Sequence, residues 1–238
     1  MQGMATSTLE PAKARQSNPG SEAAIPHKRV WTAGVFGLCL LYAIIRYNVF
    51  KGVGWEHLPL YVVNKALALA GVCFIAGAYL IGKLIPLRNW EEERRRSAAK
   101  FCGVAGFTLV SMHALASMIL LSPIYYEKFY AEGGKLNLVG ELTTLFGVLS
   151  FACLAAPAIT TLPNMYGALG GDQWKKAQRL GYWALALNCA HTFTMGFAGW
   201  FDLAAWPGTL PPITLLAFCI ALLALLAKSF TSVSQARE

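Results

Sequence analysis

The chain is predicted to be an all-α integral membrane protein, a bundle of six transmembrane helices with its N- and C-termini cytoplasmic. Three observations predict this. Of the 238 residues, 56% are hydrophobic and 13% charged, too apolar a balance for a soluble domain of this size. The apolar residues fall into six runs, each near the roughly 20 residues that cross a hydrocarbon core about 30 Å thick. Basic residues gather in alternate connecting segments, as the positive-inside rule expects of a polytopic chain. Backbone groups in lipid must find partners within their own segment, so runs of this length form helices; barrel strands are shorter and alternate in polarity.

Residues 1–29 are rich in Ser, Ala, Pro, Gly and charge and carry no apolar core ending in a small-residue cleavage site. They read as a disordered cytoplasmic tail and not as a cleaved signal peptide. Helices are expected at 31–50, 58–85, 98–121, 136–162, 177–200 and 210–227. Residues 30–228 then form the membrane domain and 229–238 a second cytoplasmic tail. One cysteine falls in each helix (Cys39, Cys73, Cys102, Cys153, Cys189 and Cys219), with no C-x-x-C pair and none in a loop. Small apolar packing residues are the expected role.

The net charge of +8 suggests a nucleic-acid partner only until its placement is considered. Lys13, Arg15, Lys28 and Arg29 precede the first helix; Lys83, Arg88, Arg94, Arg95, Arg96 and Lys100 surround the second loop; Lys175, Lys176 and Arg179 follow the fourth helix. These segments share one side, the cytoplasmic one. The opposite loops are poorer in base: Lys51 near Glu56, Lys128 and Lys135 near Glu127 and Glu132, and Asp202 alone, with Arg46 and Lys65 running against the trend. The expectation is a multi-pass protein of the inner or plasma membrane with no nucleic-acid partner. The run Glu91 to Arg96 reads as a solvated loop near lipid phosphates, ahead of a docking site for a soluble protein.

Of four histidines, His27 and His57 fall in the tail and the first outer loop. His113 and His191 lie deep inside apolar helices, where ionisable groups are costly and usually face the bundle interior for a functional reason. The simpler alternative is imidazole acting as polar glue between helices. His113 is about 15 residues past Ala98 and His191 about 14 past Ala177, so at ~1.5 Å per residue both lie about 21 to 23 Å from the cytoplasmic entry. Two imidazoles at one level on facing helices suit the axial positions of one haem iron. Small residues nearby (Gly106, Ala116, Ser117; Ala184, Thr194, Ala198; Gly140, Thr144, Gly147) leave room for a flat macrocycle, and equally suit close helix packing. No third ligand or H-E-x-x-H run supports catalytic zinc, and Glu141 alone is thin support for a proton relay. A small transporter or structural membrane protein remains the rival from another class.

Residues about 98–228 resemble the ferric reductase-like transmembrane superfamily, most closely the membrane domain of the STEAP metalloreductases, the six-transmembrane epithelial antigens of prostate. Gly103, Phe107 and His113 carry the likeness in the third helix, Glu141, Phe146, Gly147 and the closing Thr160-Thr161-Leu162-Pro163 in the fourth, and Gln178, Leu180-Gly181-Tyr182 and His191 in the fifth. The resemblance implies that His113 and His191 are axial ligands of one b-type haem near the outer face. Larger ferric reductases and NADPH oxidases carry two histidines on each ligand helix and resemble the chain less. The haem subunit of the periplasmic methionine sulfoxide reductase system is a nearer rival, but usually has a further histidine where Gln178 stands.

The resemblance also implies a flavin, FAD or FMN, against the cytoplasmic half, with Trp174, Lys175 and Gln178 as candidate contacts. Gly167 to Gly171 follow no strand and make no dinucleotide fingerprint. Electrons are therefore expected from a separate reductase, a bound flavin or a quinol. They are expected to leave at the outer face to a metal chelate, oxygen or a protein acceptor, in a protein that the family pattern makes a homo-oligomer. Lys51, Lys65, Lys128 and Lys135 are candidates for haem propionates or an anionic chelate, with interfacial snorkelling as the alternative.

Overall fold

Runs dominated by Leu, Ala, Val and Phe offer the backbone no side-chain competitor for its hydrogen bonds, and in this chain they are helical. The computed structural model describes residues 28–81 and 92–235. The expectations for Lys13, Arg15, His27, Lys83, Arg88 and Glu91, for residues 1–27 of the N-terminal tail and for 236–238 of the C-terminal one lie outside the described residues.

Helix α1 spans Lys28–Ile44 and continues as a π-helical turn over Ile45–Phe50. A 3-10 turn at Trp55–His57 and a π-helical turn at Leu58–Val62 lead into α2, Val63–Ile81. Next come α3 (Glu92–Leu120), the single turn α4 (Pro123–Tyr126), α5 (Leu138–Ile159), the short α6 (Met165–Leu169), α7 (Gly171–Gly196) and α8 (Ile213–Gln235). Among the described residues there is no strand, only an isolated bridge between Tyr130 and Leu136.

Five segments are long and apolar enough to cross a membrane: Lys28–Phe50, Trp55–Ile81, Glu93–Leu120, Leu138–Ile159 and Pro207–Ala227. They mark an integral membrane protein. Helix α7, expected as a sixth crossing, has 26 residues and thus the length, since about 20 suffice. It falls short in apolar character, because Asp172, Lys175, Lys176 and Arg179 occupy its first turns and Asn188, His191, Thr192 and Thr194 its last.

Helix α2 is the buried centre, packed on α1, α3 and α8. It meets α3 where Gly71 faces Gly106: a Cβ on Gly106 would stand 2.9 Å from the Ile75 backbone nitrogen, so both glycines are needed for that approach. Helix α5 packs on α7, tied by Ser150 donating to the Ala184 carbonyl at 2.8 Å. Helix α8 closes the far side against α2 and α7 through the buried Ala217, Ala221 and Ala224. Between α3 and α5 the contact is sparse, so the pairs α2/α3 and α5/α7 flank a cleft. Many large apolar residues face outward, among them Leu38, Leu115, Met118, Leu145 and Leu223. That pattern is what a lipid solvent favours.

Arg46, one of the two residues that break the charge asymmetry, is buried and donates through Nη1 to the Leu210 carbonyl at 2.6 Å. It joins the end of α1 to the segment before α8 and so has an internal structural task.

Candidate functional site

His113 on α3 and His191 on α7 stand about 21 and about 20 residues from the starts of their helices, a depth difference of about one residue's rise. The two helices run the same way, since their N-terminal turns line one cavity. Both residues are half-buried, and they lie within electrostatic range of each other.

Each ring is held through Nδ1. For His113 the neighbours are Asn64 Oδ1 at 2.7 Å and the Asn64 carbonyl at 3.3 Å. The Asn64 amide is oriented by its Nδ2 donating to Ser117 Oγ at 3.0 Å, which presents Oδ1 to the imidazole. For His191 the neighbour is the Thr143 carbonyl at 2.8 Å. Asn64 Oδ1 and the Thr143 carbonyl can only accept, which favours the tautomer with the proton on Nδ1 and the lone pair on Nε2; Ser117 Oγ lies farther from His113 Nδ1, at 3.4 Å. Ligating histidines are held in this way, their second nitrogen donating to a carbonyl or carboxylate. No hydrogen bond to either Nε2 occurs among the described residues.

Gly147 on α5 provides the clearance for His191: a Cβ there would lie 3.0 Å from the ring Nδ1. The other small residues expected to leave room for a macrocycle divide differently. Gly106 serves the crossing with α2, and Gly140 packs against the Phe129 carbonyl. Ser117 holds Asn64, and Thr194 accepts from Thr143 Oγ1 at 3.1 Å.

Among the described residues no group of three or more His, Cys, Asp or Glu can hold a metal ion. A group that brings its own equatorial ligands needs only two protein donors. Two neutral imidazoles at one level, each fixed at Nδ1 and bordering a cleft between helix pairs, fit a haem.

A second site lies at the opposite end. A cavity of about 790 Å³ is lined by the N-terminal turns of α3 and α7 and the C-terminal halves of α2 and α5. Trp174, Lys175 and Gln178 all line it, with Arg96 and Lys100 from α3 and Phe107 deeper in. Gln178 also has a structural task, donating to Thr160 Oγ1 at 2.7 Å, while Thr160 donates to the carbonyl of Pro157 at 2.8 Å. The helix-interior proline and the threonines after it are thereby tied to α7. Phe107 stacks on Phe151 of α5 at 5.6 Å between centroids, bridging α3 and α5 between the cavity and the histidines. Glu141 is exposed on α5 and is not among the residues that line the cavity.

At the histidine end, Lys65 Nζ sits over the rings of Tyr47, Tyr61 and Tyr126 at 5.0, 4.3 and 5.5 Å. Lys128 Nζ donates to the Met195 carbonyl, one turn beyond His191. Burial and the nearby Lys65 and Lys51 push the Lys128 ammonium down to about 8.

No protein-family model matches the chain. A curated relative, Metalloreductase STEAP3 of Rattus norvegicus, is 26% identical, with 70% of this chain and 40% of the relative covered. The likeness supports a STEAP-like relationship at family level. The chain thus spans well under half the length of that relative.

Sequence reasoning singled out His113 and His191 and missed what holds them. Asn64 was open to discovery, being an amide within an apolar run. The Thr143 contact was not, because a backbone carbonyl leaves no mark on residue type. Arg96 and Lys100 were read as part of a charged flank, and the structure puts both on the cavity wall.

Proposed function

We propose that this chain is a metalloreductase-like transmembrane electron-transfer protein that holds one b-type haem between His113 and His191. Six helices cross the membrane, with α7 as the sixth, and the basic end faces the cytoplasm. The observation that carries the reading is the matched pair of imidazoles, each fixed at Nδ1 with Nε2 available. Among the polar residues that lower the apolarity of α7, Thr192 is buried and His191 and Thr194 are half-buried, which supports the same reading.

A bound haem supplies a one-electron couple. The residues do the rest. Asn64 and Thr143 set the tautomer and azimuth of the two rings. Gly147 lets α5 approach His191. Tyr61, Tyr125 and Tyr126 crowd the outer end, where Tyr61 stacks on Tyr125 at 5.7 Å between centroids, and restrict water. The 790 Å³ cavity suits a flavin: Trp174, edge to face with Tyr166, offers an aromatic wall, and Arg96, Lys100 and Lys175 make that wall positive toward phosphate. Electrons enter there from a separate reductase, a flavin or a quinol and leave at the other face to a ferric or cupric chelate, oxygen or a protein acceptor.

The test is an absorption spectrum of the full chain purified in detergent after expression with ample haem supply. A Soret band that shifts on dithionite reduction, and is lost in both His113→Ala and His191→Ala, is expected. A colourless preparation overturns the reading in favour of histidines that merely pack or carry protons. Retention of wild-type haem by both variants overturns the ligand assignment.

A further inference from the structure

Lys65 stands on α2 and Lys128 between α4 and α5. Lys65 follows Asn64, the residue that holds His113, and lies within the span Trp55–Ile81. Lys128 is anchored to the carbonyl of Met195, one turn past His191. The two ammonium groups thus lie at the histidine end of the bundle. Both are in electrostatic range of each other, and Lys65 is in range of His113.

The chemistry around Lys65 is incomplete for a cation in a membrane span. Its ammonium is surrounded by the faces of Tyr47, Tyr61 and Tyr126. Aromatic faces offset only part of the cost of removing an ammonium from water. The full complement for a buried cation is an anion, and among the described residues no carboxylate pairs with Lys51, Lys65 or Lys128. Repulsion among three like charges adds to the deficit. Arg46, a further cation at this end, is already bonded to the carbonyl of Leu210.

A site for two carboxylates, one against each ammonium, matches what the edge of a b-type macrocycle presents. We infer that Lys65 and Lys128 bind the two propionates of the haem held by His113 and His191, which sets the macrocycle's rotation in the cleft with its carboxylates toward the outer face. The assignment rests on the haem reading. Both lysines are positioning residues: they fix the group without touching the iron.

The experiment compares haem with its dimethyl ester, which keeps the ring and iron and lacks both negative charges. Haem-free full-length protein in detergent is titrated with each, followed by Soret absorbance, for the wild type, Lys65→Met, Lys128→Met and the charge-keeping Lys65→Arg. The wild type is expected to favour haem over the diester about tenfold or more, as two charge-assisted contacts predict. Each methionine variant lowers that preference severalfold and leaves diester affinity unchanged, while Lys65→Arg retains most of it. A wild type that binds both forms equally overturns the proposal. So do methionine variants that weaken both forms alike, the mark of a merely structural role, and variants with the wild-type ratio, the mark of lysines that serve a soluble anion. Should the wild type bind neither form, the haem reading itself is overturned, a result distinct from all of these.

Discussion

The two ends of the helix bundle solve different binding problems. At the basic end a cavity of about 790 Å³ opens between four helices, with Arg96, Lys100 and Lys175 on its wall and apolar residues such as Ile75, Phe107 and Leu154 beneath. At the other end two imidazoles stand at one depth, each held at Nδ1 by acceptors from a neighbouring helix. The first arrangement suits a large ligand with a charged part that enters from water. The second suits a group held by directed bonds, where the positions of two nitrogens matter more than volume. In a membrane protein the difference follows from the solvent: long-range charge is useful where water and headgroups meet the helices, whereas deep in the bundle each unpaired polar group is costly.

The strongest way to break this comparison is to remove a directed bond. His113→Ala or His191→Ala is expected to abolish the Soret band, while flavin binding at the cavity, followed by quenching of flavin fluorescence, stays within about twofold of wild type. Loss of both together would show that the two ends are one cooperative site. Asn64→Leu is expected to lower haem affinity about 10- to 100-fold, the range typical of residues that orient a metal-ligating histidine. An unchanged titration would mean that helix packing alone orients His113.

At the cavity the effects are expected to be smaller, because water screens the charges there. Lys100→Ala should weaken flavin binding by about threefold to tenfold, in line with the ~1 kcal/mol of a partly exposed ionic contact, and should leave the haem spectrum intact. A shifted haem spectrum in that variant would contradict the separation of the two sites.

The smallest effect concerns Lys128. Burial first, and then Lys65 and Lys51, lower its ammonium in the folded protein from an ordinary value of 10.5 to about 8. Between these values the unfolded chain binds more protons than the folded one, so haem-free protein should gain stability as pH rises from about 8 toward 10.5. Thermal unfolding in detergent at a series of pH values checks this. Lys128→Met should flatten that segment of the profile, and a wild-type profile without a rise would rule out the depressed ammonium.

The helices were legible because a run of about 20 apolar residues admits one answer in lipid. His113 and His191 were legible for a related reason: an ionisable residue inside such a run is costly enough to stand out. Trp174, Lys175 and Gln178 were proposed from a likeness and meet on one cavity wall, although Gln178 also bridges α7 to Thr160. Gly106 shows where residue type fails. A glycine that spares room for a ligand and one that lets two helices touch look alike in sequence, and only the facing atoms, here those of Ile75 and Gly71, distinguish them. Arg46 shows the same for charge: its side of the membrane was inferred from its place in the chain, whereas its role came from the Leu210 carbonyl it bonds.

By itself the sequence determined that this chain is helical, that it belongs in a membrane and that two histidines lie at one depth, since hydropathy, helix rise and the cost of burying charge act residue by residue. Tertiary structure decided which nitrogen of each histidine is left over, which glycine clears space beside a ring and which cations converge on a cavity. Those depend on atoms from segments far apart in the chain, on α2 and α5 for the two histidines, and no local rule of composition or spacing carries that information.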